Sequence, residues 1–183
     1  VVFLTGASTG ISATNYGTGA LRITTGAVTG TNGDGIYAYN YGTDLTIDSR
    51  AGAVTGSRAG IDAYNYGFGA LTITTANVTG TASVGIGASN YGTDLTINSR
   101  AGSVSGTTGV LATNYGLGAL SITTANVTGT ASDGIIAGNS GNGTSLTIDS
   151  SAGRVTGATT GISATNYGTG ALRITTGAVT GTN

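Results

Sequence analysis

Residues 35–56 read GIYAYNYGTDLTIDSRAGAVTG, and this stretch contains the pattern that decides the fold. It begins with Gly-Ile-x-Ala-x-Asn-Tyr-Gly, continues with Leu-x-Ile and closes with Val-Thr-Gly. Repeats of this pattern occur seven times along the 183 residues, about every 25 positions. A unit of that length with so few apolar side chains cannot bury a core alone, so it must stack on copies of itself.

The spacing of the repeat is too regular to arise by chance. The intervals between successive opening glycines are 25, 25, 25, 24, 25 and 27 residues, and the glycines are Gly10, Gly35, Gly60, Gly85, Gly109, Gly134 and Gly161. Residues 10–32 return unchanged as residues 161–183, which indicates copying within the gene. We therefore expect residues 1–183 to form one segment, without a domain boundary, of a longer array.

Each unit carries three short stretches of period-two alternation, separated by the Gly, Thr, Asn, Asp and Ser residues that favour turns. If Ile36 faces inward, Ala38 and Asn40 share its face and Tyr37 and Tyr39 face outward. Each coil then offers the interior one Ala and one Val with two Ile and one Leu. Parallel stacking at about 4.8 Å per coil predicts a narrow rod about 34 Å long.

The fold class predicted from this pattern is all-β, a parallel β-helix (β-solenoid) of about seven coils of about 25 residues. Left-handed hexapeptide helices use coils that are multiples of six residues, which 25 is not. Together with the right-handedness of parallel crossover connections, this favours a right-handed helix.

One asparagine precedes the corner in every coil. A buried amide at a bend must find partners, and identical stacked amides can bond to each other and to the bend. We predict an internal asparagine ladder formed by Asn15, Asn40, Asn65, Asn90, Asn114, Asn139 and Asn166.

Tyrosines form an outward column after these asparagines, at Tyr16, Tyr41, Tyr66, Tyr91, Tyr115 and Tyr167, interrupted only by Ser140. One interpretation is a surface stack that stiffens the rod. Additional aromatic residues in coils two and three suggest a second interpretation, a patch that stacks on sugar rings or on a partner protein. The candidate binding patch comprises Tyr37, Tyr39, Tyr41, Tyr64, Tyr66 and Phe68.

The charged residues give little support to catalysis or to metal binding. The chain has seven acidic residues, all Asp, and neither His nor Cys. β-Helix enzymes that act on polysaccharides need clustered carboxylates or a base with a metal, and no such cluster is evident. We therefore predict no enzyme activity, no catalytic residue, no metal site and no cofactor.

Charge and hydropathy argue against two classes of partner. A net charge of −1 provides no electrostatic footprint for nucleic acid. No apolar run approaches the roughly 18 residues of a membrane span. Outward threonines suggest ice binding as a further, weaker hypothesis, although Arg22, Asp48, Asp149 and Arg173 interrupt that face.

Residues 35–80, GIYAYNYGTDLTIDSRAGAVTGSRAGIDAYNYGFGALTITTANVTG, resemble the repetitive passenger region of proteobacterial autotransporters. The resemblance covers nearly the whole chain, and the alternating G-A-L-x-I-T-T and T-D-L-T-I coils are fairly specific to such passengers. It implies a right-handed β-helix on the cell surface, anchored through an outer-membrane barrel outside this segment. It also implies a role in adhesion, in aggregation or as a stalk.

The function expected from the sequence is therefore a non-enzymatic structural or adhesive rod of a bacterial surface protein. Its expected partners are a glycan or a surface protein of a host or neighbouring cell. The alternative is an extracellular fibre whose coils associate end to end or laterally, because open strand edges invite pairing. A polysaccharide-acting enzyme is the least supported hypothesis.

Overall fold

The computed structural model describes residues 3–182, so residues 1, 2 and 183 of the predicted segment lie outside it. The described chain consists of strands joined by turns, bends and short irregular stretches. The eighteen strands are β1 (Phe3–Gly6), β2 (Ile11–Asn15), β3 (Leu21–Thr24), β4 (Ala27–Gly30), β5 (Ile36–Asn40), β6 (Leu45–Ser49), β7 (Val54–Gly56), β8 (Ile61–Asn65), β9 (Leu71–Thr75), β10 (Val78–Gly80), β11 (Ile86–Asn90), β12 (Leu95–Gly106), β13 (Val110–Asn114), β14 (Leu120–Gly129), β15 (Ile135–Asn139), β16 (Leu146–Gly157), β17 (Ile162–Asn166) and β18 (Leu172–Gly181).

The strands form two sheets in which every pairing is parallel. The Ile-x-Ala-x-Asn segments make a seven-stranded sheet in the order β17-β15-β13-β11-β8-β5-β2, and the remaining strands make an eleven-stranded sheet. Equivalent residues of successive coils lie opposite each other, as Ile36 does with Ile61 and Leu45 with Leu71. The predicted parallel β-solenoid of about seven stacked coils is confirmed.

The three strands per coil are separate in the first coils but not in the later ones. From the fourth coil onward the Leu-x-Ile and Val-Thr-Gly segments run together as the long strands β12, β14, β16 and β18. Between the two segments the pairing with the next strand shifts in register, and in β12 this shift falls between Ser99 and Ser103. A β-bulge of this kind accommodates an extra residue while the ladder continues on both sides.

The core is one continuous column of side chains along the rod. In the second coil Ile36, Ala38, Leu45, Ile47 and Val54 are all 0% exposed, and the equivalent residues of the internal coils are buried in the same way. The five inward positions predicted from the alternation are confirmed. Each coil therefore removes its apolar side chains from water only through the coils above and below it.

Two glycine positions are fixed by short contacts with residues further along the chain. A Cβ atom added at Gly56, which ends Val-Thr-Gly, would lie 1.9 Å from the carbonyl oxygen of Ala59. One added at the opening Gly60 would lie 2.4 Å from Val78 Cγ1. Neither site has room for a side chain, which explains why glycine recurs at both.

The asparagine ladder is confirmed in all seven coils. Each Nδ2 donates to the Oδ1 of the next asparagine, over distances of 2.7, 2.8, 2.9, 2.9, 3.1 and 3.0 Å from Asn15 to Asn166. Asn40 also donates to the carbonyl of Thr43 at 3.0 Å and accepts from the backbone N of Gly42 at 3.3 Å. Its amide thus uses both donors and both acceptor sites, as a fully buried polar group requires.

A second buried polar column was not predicted from the sequence. It consists of the hydroxyl residues two positions after the Ile of Leu-x-Ile in coils two to six, all 0% exposed: Ser49, Thr75, Ser99, Thr124 and Ser150. Ser49 donates to Thr75 at 2.7 Å, whereas the hydroxyls of the other three have no hydrogen-bond partner. Burial without a partner makes these three hydroxyls unfavourable for stability.

Replacing Asn65 by alanine should lower the free energy of unfolding by about 2–4 kcal/mol. The change removes partners from two buried neighbouring amides, and each buried group left unpaired costs roughly 1–3 kcal/mol. Denaturant titration followed by circular dichroism measures the effect. Asn15→Ala, at the less buried end of the ladder, is the matched control and should cost clearly less; equal losses would contradict the ladder's energetic role.

Valine substitutions at two positions of the hydroxyl column should change the stability of the protein in opposite directions. Thr124→Val removes an unpaired buried hydroxyl at almost constant volume and should raise the denaturation midpoint. Thr75→Val leaves the Ser49 hydroxyl unpaired and should lower it. Thermal and denaturant unfolding of the two variants side by side checks the difference, and a destabilised Thr124→Val variant would show that its hydroxyl has a partner.

Candidate binding surface

The outward face of the seven-stranded sheet carries two columns of side chains set by the strand register, and a third column follows at the corner where these strands end. The first is Ser12, Tyr37, Asp62, Gly87, Leu111, Ile136 and Ser163. The second is Thr14, Tyr39, Tyr64, Ser89, Thr113, Gly138 and Thr165. The third, at the corner, is Tyr16, Tyr41, Tyr66, Tyr91, Tyr115, Ser140 and Tyr167. The three columns place side chains of different coils side by side at the spacing of parallel strands.

The corner column contains an unbroken stack of five tyrosine rings. Successive ring centroids are 5.3, 5.3, 4.9 and 4.7 Å apart, with interplanar angles of 14–18°. These separations are those of favourable aromatic pairs. The predicted surface stack from Tyr16 to Tyr115 is therefore present.

The aromatic patch widens this stack in coils two and three. The Tyr39 ring lies 4.9 Å from Tyr37, 4.6 Å from Tyr64 and 5.8 Å from Tyr66, measured between centroids. The structure thus brings together the five tyrosines of the predicted patch. Phe68 is 89% exposed and forms no ring pair within the described part of the chain.

An ion pair supports one side of the patch. The Arg58 guanidinium donates to Asp34 through Nε at 2.8 Å and through Nη2 at 2.5 Å, and the Asp34 side chain is only 3% exposed. The Arg58 Cζ atom lies 6.0 Å from the centroid of the Tyr37 ring, within the range of a cation–π contact. The two-point ion pair fixes the plane of the guanidinium beside that ring.

Asp62 is the acidic residue of this surface with free acceptor capacity. Its side chain is 18% exposed, the Tyr64 hydroxyl donates to it at 3.4 Å, and Arg58 Nη2 is 3.8 Å away. Burial raises the pKa of Asp62 above its usual value. Burial also raises the pKa of Tyr64 to about 12, and the neighbouring Tyr37 hydroxyl is the main cause of a raised pKa at Tyr39. These phenols stay protonated and able to donate hydrogen bonds at neutral pH.

A hollow of about 270 Å³ lies beside the patch, where the first column loses its side chain at Gly87. Its lining includes Asp62, Tyr64, Ser83, Ser89 and Thr113. It therefore joins the edge of an aromatic patch to a carboxylate and several hydroxyls. Asp62, Arg58 and Gly87 were not among the site residues predicted from the sequence, although each departs from the repeat and that departure was the available signal.

Three of the remaining acidic residues join coils through hydrogen bonds to the backbone. Asp44 and Asp94 accept hydrogen bonds from the backbone N of Ala70 at 2.8 Å and Ala119 at 2.7 Å in the following coils. Asp133 accepts from the backbone N of Thr160 at 3.0 Å in the same way. Within residues 3–182 no group of three or more candidate metal ligands occurs.

The outward threonines lie on the other sheet. On the outward face of the eleven-stranded sheet, the strand register aligns residues of different chemistry across successive coils: Arg22, Thr46, Thr72, Thr96, Ser121, Thr147 and Arg173. The neighbouring line contains Asp48, Asn98 and Asp149 between threonines. Arginines stand at both ends of the first line, and aspartates interrupt the second, so this face is not a uniform threonine array.

No protein-family model matches this chain, and neither a curated protein nor a solved structure does. None of the described residues forms a helix with the length and hydropathy needed to span a bilayer. The fold and the surface geometry are accordingly the basis for inferring function.

Replacing Asp62 and Asp48 by asparagine should change stability in opposite directions at neutral pH. The pKa of Asp62 is raised by burial, so its stabilising contribution is present below roughly pH 3.9 and is lost as pH rises through the folded-state pKa. The pKa of Asp48 is lowered chiefly by its hydrogen bond to Arg50, so its contribution is present above that value and is lost on acidification.

We therefore expect Asp62→Asn to unfold at a higher denaturant concentration than the parent at about pH 7, with the difference shrinking toward about pH 3. Asp48→Asn should unfold at a slightly lower concentration at about pH 7, since an exposed ion pair contributes little. A gain in stability for both variants, or for neither, would contradict the assigned directions.

Proposed function

We propose that this chain is a non-enzymatic rod of a bacterial surface protein of the autotransporter passenger class, and that it serves in adhesion. In this proposal the stacked coils hold the aromatic patch away from the cell. The patch comprises Tyr37, Tyr39, Tyr41, Tyr64 and Tyr66, and its ligand is a glycan of a host or neighbouring cell.

The rod component is supported by the uninterrupted register of the coils. Each coil bonds to its neighbours through backbone ladders and through the asparagine ladder, so stability accumulates along the axis. The resemblance of residues 35–80 to autotransporter passengers supports a location on the cell surface.

The adhesive component depends on one observation, the clustering of tyrosine rings beside Asp62. Sugar rings present C–H faces that stack on aromatic rings and hydroxyls that bond to carboxylates and phenols. Tyr39 and Tyr64 supply adjacent rings whose centroids are 4.6 Å apart, and Asp62 has acceptor capacity left over. The neutral hydroxyls of the neighbouring hollow suit an uncharged saccharide.

The arrangement of the acids favours binding over hydrolysis. Glycosidases use two carboxylates, one as acid and one as base or nucleophile. Arg58 contacts both Asp62 and Asp34, and its guanidinium holds both carboxylate oxygens of Asp34. Oxygens engaged in a buried two-point ion pair are poorly placed to attack a sugar or to activate water.

A glycan array probed with the labelled full chain tests the adhesive component. We expect binding to a set of neutral glycans, a loss of about tenfold or more in Tyr39→Ala and Tyr64→Ala, and little change in Tyr167→Ala, which lies outside the patch. Release of reducing ends from any bound glycan would instead indicate an enzyme. Equal binding by the three variants would refute the patch as the site.

Surface labelling tests the cellular component. Antibody against the chain should stain intact cells of the source organism, and protease added to intact cells should remove the signal. A signal seen only after lysis would contradict the proposed location. Electron microscopy at increasing protein concentration distinguishes a rod of fixed length from the alternative, a growing fibre.

A further inference from the structure

The tyrosine column has one gap, at the coil where the corner residue is not tyrosine. Ser140 occupies the corner position of the sixth coil, between Tyr115 of the fifth coil and Tyr167 of the seventh. A cavity of about 260 Å³ is present there, lined by Thr113, Tyr115, Gly138, Ser140, Gly141 and Tyr167 among others. This gap, here called the tyrosine slot, contains none of the tyrosines of the aromatic patch, although it shares Thr113 and Tyr115 with the lining of the hollow beside that patch.

The spacing of the coils sets the width of the tyrosine slot. Two parallel-strand steps separate Tyr115 from Tyr167, which amounts to about 10 Å. A flat ring placed midway would lie about 5 Å from each tyrosine, within the separation of favourable aromatic pairs. The intact part of the column has this same spacing, with centroids 4.7 Å apart between Tyr91 and Tyr115.

The two tyrosines beside the tyrosine slot differ in exposure. Tyr41, Tyr66, Tyr91 and Tyr115, which belong to the intact stack, are 45%, 39%, 47% and 48% exposed. Tyr167, which has no ring neighbour within the described coils, is 74% exposed, and Tyr16, at the other end of the column, is 82% exposed although it stacks on Tyr41. Both Tyr115 and Tyr167 line the cavity, so both side chains can contact a ligand in it.

The backbone on both sides of the tyrosine slot is held in place before any ligand arrives. The backbone N of Tyr167 donates to the carbonyl of Asn139 at 2.9 Å, and that of Tyr115 donates to the carbonyl of Asn90 at 2.8 Å. The asparagine ladder continues through the slot, from Asn114 to Asn139 and on to Asn166. Little ordering of the chain is therefore required on binding.

The lining of the tyrosine slot favours an aromatic ring over a sugar. The Ser140 hydroxyl already donates to the carbonyl of Tyr115 at 3.2 Å, and the Asn139 amide is engaged in the ladder. A sugar would leave hydroxyls unpaired there, at the cost of their hydration. Gly138 and Gly141 carry no side chain, so the floor of the slot is open to a flat apolar ring.

We propose that the tyrosine slot binds one planar aromatic ring of about the size of a tyrosine side chain, held between Tyr115 and Tyr167. The ring lies where the column would continue if the sixth coil carried tyrosine. Any polar substituent points outward to solvent, as the phenol groups of the column do. The shared chemistry is that of a phenol, from a free aromatic compound or from an exposed tyrosyl side chain.

The test is a titration of the full chain, labelled with ¹³C-tyrosine, with p-cresol and separately with N-acetyltyrosine amide. Ring-current shifts should appear at the resonances of Tyr115 and Tyr167, assigned with single Tyr→Phe variants, and not at Tyr16. Binding of p-cresol alone identifies a free aromatic compound as the source, whereas binding of both ligands admits a tyrosyl side chain. Cyclohexanol, which has a ring of similar size without aromatic faces, should cause no such shifts.

The variant S140Y fills the slot with the repeat's own side chain. It should weaken p-cresol binding by about tenfold or more, because both ring contacts are lost to the ligand. S140A, the matched control, should bind within about twofold of the parent, since the slot stays open. Circular dichroism verifies that both variants remain folded.

Tyr167→Ala tests the same site independently, because it removes one of the two rings that flank the tyrosine slot without filling the slot. It should also weaken p-cresol binding by about tenfold. Unchanged binding in this variant or in a folded S140Y protein would overturn the proposal. Equal shifts at Tyr16 and Tyr115, or no shift up to the solubility limit of p-cresol, would overturn it as well.

Discussion

Each coil of this protein is held in register by the coil beneath it, and the rest of the structure depends on that constraint. Parallel backbone ladders place Ile36 on Ile61 and Asn40 on Asn65, so chemically identical side chains meet at about the strand spacing. Burial then becomes a property of the stack, because no coil has enough apolar surface to fold alone. A shift by one residue would turn Asn and Ile outward and bring the tyrosines inside.

The same constraint determines which polar groups the interior tolerates. An amide can donate to one neighbouring coil while it accepts from the other. Asn40 does this, and it uses its remaining donor and acceptor for the bend of its own coil. A hydroxyl has a single proton to donate. In the buried hydroxyl column, one pair among the five residues, Ser49 with Thr75, is hydrogen-bonded. Asparagine therefore suits an internal ladder better than serine or threonine.

Departures from the repeat create the surface features that distinguish one part of the rod from another. Asp62 with Gly87 produces a hollow beside tyrosine rings, and Ser140 produces a gap in the tyrosine column. In a uniform solenoid every coil presents the same face to solvent. A single altered residue changes that face locally without disturbing the core, because outward side chains contribute little to the stacking.

The sequence by itself determined the strand pattern, the parallel stack, the inward positions and the asparagine ladder, because each follows from a period of two within a coil and of about 25 between coils. It also placed the tyrosines on the outside. It could not show that the Arg58 side chain bridges Asp34 and approaches Asp62, or that Phe68 stands apart from the tyrosines. Those relations depend on the paths of long side chains between coils and on the shape of the corners. Only the tertiary structure fixes them, since residues about 25 positions apart become neighbours after the coils have stacked.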